Sequence, residues 1–119
     1  MAEERRKRKT PADFFKSLES YEDFVYYVYK TNVFKKNVGL CYKRNLDLDL
    51  LEEIIVTLAK GSGLPENNFP HPLKGYKKKG NENVMECHIQ PDWLLVWKQN
   101  ETELTLLLID TGTHSDLFQ

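Results

Sequence analysis

Cysteine is scarce in this sequence: only Cys41 and Cys87 occur in 119 residues. That excludes a scaffold held by disulfides, which needs a far higher cysteine content in so short a chain. Both cysteines fall on apolar faces, so two buried, reduced thiols are expected. Long apolar runs are missing too. No stretch approaches the roughly 20 residues that a helix needs to cross a bilayer. The charged opening Met1 to Lys9 has none of the apolar core of a signal peptide. A cytoplasmic protein without a membrane role is therefore expected. Glycine and proline number only six and five, and no internal repeat or low-complexity tract appears. Net charge is also absent, at −1, which removes any bulk attraction to nucleic acid.

What remains is a globular composition, 40% hydrophobic and 12% aromatic, long enough to bury roughly two-thirds of the surface of its unfolded form. The near-zero charge hides a segregated pattern. Arg5, Arg6, Lys7, Arg8 and Lys9 crowd the start, Lys30 to Arg44 is basic with no acid, and Lys74, Lys77, Lys78 and Lys79 lie together. Acids gather at Asp13 to Asp23 and Asp47 to Glu53. Local basic patches of this kind can bind phosphate even where the total is unhelpful.

The order of elements follows from periodicity and punctuation. Residues 1–9 read as a disordered basic arm, because they offer almost nothing apolar to bury. Thr10-Pro11-Ala12-Asp13 reads as a helix start, with Thr10 as cap and Pro11 in the first turn. Phe14, Leu18 and Tyr21 then share one stripe, giving a helical extension over 10–23. Phe24 to Lys30, rich in Val and Tyr, predicts a strand. Two helices follow as a hairpin, the first capped by Asn32 with Phe34, Val38, Cys41 and Tyr42 inward. The second opens on a capping box of Asp49 and Glu52, carries Leu51, Ile54, Ile55 and Leu58, and stops at Gly61. Ser62 to Asn83 reads as a long loop. Val84 to Gln90, Trp93 to Lys98 and Glu103 to Asp110 read as an antiparallel meander. The fold class is α+β: an N-terminal strand and a helical hairpin packed on a mainly antiparallel sheet, with an extra N-terminal helix.

The chemistry gathers at the strand ends. The period of two along Val84 to Gln90 turns Met85, Cys87 and Ile89 one way and Glu86, His88 and Gln90 the other. If the apolar set meets the helices, His88 lies on the open face. Asp92 sits in the next turn, and His114 follows a Thr-Gly-Thr kink after the last strand. A loop folding over that face would add His71, flanked by Lys74 and Lys77 to Lys79. A zinc site of His71, His88, His114 and Cys87 is disfavoured, since the spacing matches no common ligand pattern and Cys87 should point away from His88. Trp93 and Trp97 read as core.

Three separated motifs carry a resemblance. His71-Pro72-Leu73-Lys74-Gly75, the run Glu86-Cys87-His88-Ile89-Gln90-Pro91-Asp92-Trp93, and Thr111-Gly112-Thr113-His114-Ser115-Asp116-Leu117-Phe118 resemble those of the YafQ-type toxins in the RelE superfamily. The likeness covers about residues 25–118, so the toxin domain is expected over 24–119 and the earlier residues fall outside it. The resemblance implies a RelE-like fold and the toxin of a type II toxin–antitoxin pair, an endoribonuclease that cuts mRNA on the ribosome without metal or cofactor. It implies catalytic roles for His71, His88, Asp92 and His114, and places Phe118 on the RNA. His114 is favoured as the acid, and the base stays open between His71 and His88. The implied partners are a cognate antitoxin, the ribosome and mRNA, with the antitoxin complex binding operator DNA. A rival reading keeps the fold but makes the protein a catalytically silent antitoxin binder. Relatives carry arginine where this chain has Met85 and Asp110, so Lys74 and Lys77 to Lys79 are the expected source of phosphate-binding charge.

Overall fold

The computed structural model describes residues 8–74 and 84–118. The N-terminal helix α1 spans Pro11–Glu19. Its start is a capping box: Thr10 Oγ1 accepts from the Asp13 amide at 3.1 Å, and the Asp13 carboxylate accepts from the Thr10 amide at 3.4 Å. Phe14 and Leu18 point inward from it. The chain then turns, and the strand expected from Phe24 begins only at β1, Tyr27–Lys30. The reason is hydrogen bonding: the amides of Val25 and Tyr26 both donate to the Ala59 carbonyl, so they have no ladder to join.

The hairpin consists of α2 (Asn32–Lys43) and α3 (Leu48–Ala59). Both caps differ from expectation by one or two residues. Thr31 caps α2 in place of Asn32, because its hydroxyl can accept from the Phe34 amide (3.0 Å) while donating to the Ile109 carbonyl (2.8 Å). Asp47 caps α3 in place of Asp49, accepting from the Asp49 amide at 3.0 Å. Glu52 does not reach back to close a box. It lies 6% exposed and accepts from Lys9 Nζ, Ser17 Oγ and Tyr21 OH at 2.8, 2.7 and 2.9 Å. All three donors precede β1, so the N-terminal segment is bolted to α3 by an acid that α3 supplies. Arg8 lies 4.3 Å from the Tyr42 ring centroid and donates to the Tyr42 carbonyl. Arg8 and Lys9 are thus docked, and the arm expected over 1–9 does not extend to them; residues 1–7 lie outside the described residues. Gly61 ends α3 at φ 83°, with its own amide on Leu58 and the Ser62 amide on Thr57, the paired bonds of a left-handed helix stop.

The sheet is mixed and five-stranded, in the order β1-β5-β4-β3-β2. Strands β3 (Met85–Gln90), β4 (Trp93–Asn100) and β5 (Thr105–Gly112) form the antiparallel meander. Strand β1 adds parallel to β5. The long loop after α3 is more structured than its composition suggests: a 3-10 turn at Glu66–Asn68 precedes β2, His71–Pro72, which pairs antiparallel with β3. One sheet face meets the helices through Cys87, Trp93, Leu95, Trp97, Leu106 and Leu108, against Phe14, Phe34, Leu51 and Ile55. The other carries a smaller apolar cluster of Val84, Val96 and Ile109. A five-residue helix, α4 (His114–Phe118), closes the described chain.

Phe14 is fully buried between the hairpin helices, so the N-terminal helix is structural for this chain. Phe14→Ala is expected to cost about 3–5 kcal/mol; urea unfolding followed by tryptophan fluorescence measures it.

Candidate active site

Strand β3 divides its side chains between two environments. Cys87 is fully buried against the helices, and burial pushes its thiol up to about 12. It takes no part in the cleft. Glu86 and His88 project from the opposite face. Pairing with β2 brings His71 opposite Glu86, with His71 Nε2 3.4 Å from Glu86 Oε1 and His88 Nε2 4.0 Å from the same oxygen. Glu86 is only 4% exposed, and its Oε2 has no hydrogen-bond partner among the described residues. Sequence reasoning passed over Glu86, although the period of two already placed it beside His88.

Backbone carbonyls settle how the rings are turned. His71 Nδ1 lies 2.6 Å from the Phe69 carbonyl and His88 Nδ1 lies 3.2 Å from that of Pro91. A carbonyl only accepts, so Nδ1 carries the proton in both rings and Nε2 faces the cleft. The Phe69 ring meets His88 edge-on with centroids 5.7 Å apart, and Asn68 Nδ2 donates to the His88 carbonyl at 2.9 Å. These two residues of the loop were not singled out from the sequence.

Asp92, in the β3–β4 turn, holds His114 at two points. Its Oδ1 accepts from the His114 amide at 3.0 Å and from His114 Nδ1 at 2.7 Å. The amide, and then the ring, keep the Asp92 carboxyl below its ordinary value. Nε2 is thereby the ring nitrogen of His114 that Asp92 leaves unbound. Helix α4, which His114 opens, is fixed by a second capping box: Thr113 Oγ1 accepts from the Asp116 amide, and Asp116 Oδ2 accepts from the Thr113 amide. Arg44, just past α2, clamps the same carboxylate at 2.6 and 3.3 Å. A Cβ at Gly112 would stand 2.7 Å from Asp116 Oδ2, so only glycine lets α4 fold back so tightly. The His88 and His114 rings come within 5.6 Å of each other, and Phe118 stacks on His114 at 6.3 Å.

His71, His88, Asp92, His114 and Phe118 therefore share one cleft. Lys74 is exposed, whereas Lys77, Lys78 and Lys79 lie outside the described residues. Asp110, at a position where arginine was expected from the family pattern, is 4% exposed and accepts from Asn37 Nδ2 at 2.6 Å and from the Thr111 amide at 2.8 Å. It is committed to α2. Met85 packs partly buried against the core. Glu86, His88 and His114 each offer a donor atom within 4.8 Å of the others, so this trio could hold a metal ion. It contains no sulfur, unlike the set weighed from sequence.

A helical hairpin on one face of a mixed sheet is an architecture that this chain shares with solved bacterial toxins. Residues 26–119 match the family described as bacterial toxin of type II toxin–antitoxin system, YafQ, and the chain belongs to that family. It is similar to the metal-bound toxin from Helicobacter pylori, at 36% identity and TM-score 0.68, over 76% of this chain and 97% of that one. It is also similar to the toxin in the Escherichia coli DinJ–YafQ complex, at 30% identity and TM-score 0.69, over 80% and 99%. YafQ from Escherichia coli strain BL21(DE3) gives 27% and 0.69, over 79% and 99%. No curated protein sequence matches the chain.

The Arg44 guanidinium holds the Asp116 carboxyl below its ordinary value. Stability from a lowered carboxyl is present above the unfolded value of about 3.9 and is lost as pH falls through the folded one. Helix α4 is therefore expected to stay docked at pH 5 and to release in acid below that range. NMR shifts of His114 and Phe118 report the release, and Asp116→Asn should remove its acid dependence.

Proposed function

We propose that this toxin is a metal-independent, ribosome-dependent endoribonuclease that inhibits translation by cutting mRNA. The observation that carries the reading is the convergence of three imidazoles, each anchored through Nδ1, with Nε2 of His71 and His88 turned toward the Glu86 carboxylate. RNA cleavage by its own 2′-OH needs a base, an acid and stabilisation of a charged phosphorane. With Glu86 Oε1 lying 3.4 and 4.0 Å from the two rings and facing the charge that forms, His71 or His88 takes the 2′ proton at Nε2. The oxygen attacks the adjacent phosphorus while His114, as imidazolium, gives its Nε2 proton to the leaving 5′ oxygen. The products are a 2′,3′-cyclic phosphate and a 5′ hydroxyl. Asp92 orients His114 by binding its Nδ1, which turns Nε2 toward the leaving oxygen. Phe118 stacks on a base next to the scissile bond. Lys74 and Lys77 to Lys79 neutralise phosphate. The partners are mRNA on the ribosome and a cognate antitoxin, whose complex binds operator DNA, all in the cytoplasm.

A silent antitoxin-binding protein is the second reading, favoured by Met85 and by the buried, hydrogen-bonded Asp110 at positions where the family resemblance implies arginine. Cleavage of ribosome-bound mRNA separates the two. His88→Ala and His114→Ala should each lower cleavage by about 10²–10⁴-fold, with antitoxin binding and unfolding unchanged, and a chelator should leave the parent rate intact. Full activity in both variants would remove the catalytic assignment, and no activity in the parent would favour the silent protein.

Neutralising Lys77, Lys78 and Lys79 together to Gln tests the charge. Cleavage should fall, and the salt dependence of RNA binding should flatten by roughly 0.7 for each phosphate that is no longer neutralised. Binding assays at two salt concentrations read the slope.

A further inference from the structure

At the far edge of the sheet from His71, β1 is paired on one side only. The Tyr27 amide donates to Leu104 and the Thr31 amide to Leu108, both in the β5 direction. The two-residue period of a ladder then turns the N–H and C=O of Val28 and Lys30 outward. Among the described residues no strand meets them. Natural sheet edges are usually blunted by charge, proline or cover. This one carries a single lysine and is flanked by exposed apolar groups: Val25 at 52%, Tyr27 at 69%, Tyr29 at 51% and Leu104 at 44%. Along it runs a groove of about 480 Å³ whose second wall is Leu18, Tyr21 and Phe24.

We propose that this edge and groove anchor an extended segment of the antitoxin, which adds a strand beside β1 and sets apolar side chains into the groove. The inference rests on the toxin–antitoxin reading but not on RNA cleavage. Alternating N–H and C=O groups are complementary to another peptide backbone, and a nucleic acid has no matching series. Among peptides, a second copy of this chain would gain little, because a four-residue edge pairing with itself offers only the outward groups of Val28 and Lys30 on each side. An antitoxin segment continues past the edge and fills the groove. Leu18, Tyr21 and Phe24 precede residue 26, where the family match begins, so this wall belongs to the N-terminal extension. It gives the chain a means of choosing its own antitoxin over those of shorter relatives.

The probe is the small protein encoded beside the toxin, co-expressed and purified in complex. Hydrogen exchange is followed on the unmodified toxin, free and bound. The amides of Val28 and Lys30 should slow by at least about tenfold in the complex, while cleavage by the free toxin is untouched by edge variants. Val28→Pro, which removes an outward donor, and Val25→Asp, which charges the groove, should each weaken binding by about tenfold. A complex that forms without slowing either amide overturns the edge as the anchor and leaves the toxin–antitoxin reading standing. Protection already present in free toxin, with a dimer mass at micromolar concentration, assigns the edge to a second copy instead. Failure to form any complex overturns both.

Discussion

Strand β3 must satisfy two solvents at once, and the cleft depends on its doing so. Cys87 fills a fully buried position against the helices while Glu86 and His88, its immediate neighbours, stand on the other face. A slip of one residue would drive two ionisable groups into the core and turn the thiol outward, so the burial of Cys87 fixes where the chemistry points. The irregularity in pairing between His88 and Gln90 comes directly after, where the strand hands the chain to Asp92. Register thus sets three cleft residues through one apolar contact.

Around that register the cleft is assembled by short polar links. Carbonyls of Phe69 and Pro91 turn two rings, and a carboxylate turns the third. Each link engages Nδ1 and so fixes the direction of Nε2. The centre of the arrangement is Glu86, whose buried carboxylate faces two of the rings. A buried charge is costly unless compensated.

Much of this was legible in the residues because local signals agreed with the global fold. Thr10 caps α1 as its spacing indicated, Gly61 stops α3, and the three strands of the meander follow their apolar alternation. What escaped was non-local. Thr31 outcompetes Asn32 as a cap only because Ile109, 78 positions away, offers a carbonyl to its hydroxyl. Glu52 looks like half of a capping box until Lys9, Ser17 and Tyr21 arrive to claim it. Strand β2 has no periodicity to betray it, being two residues long and made by its partner. Glu86 was hidden by its type: an acid in a strand reads as surface, and only the tertiary fold buries it.

Both native thiols are buried, and burial pushes Cys41 up to about 11 and Cys87 to about 12. Neither presents a thiolate to solvent near neutral pH, and alkylating reagents and oxidants act on the thiolate. The chain is in effect chemically blank toward maleimides. A cysteine introduced at any exposed position would be the sole point of attachment for a fluorophore or spin label, so distances between the cleft and the β1 edge can be read spectroscopically without first stripping out the natural sulfur.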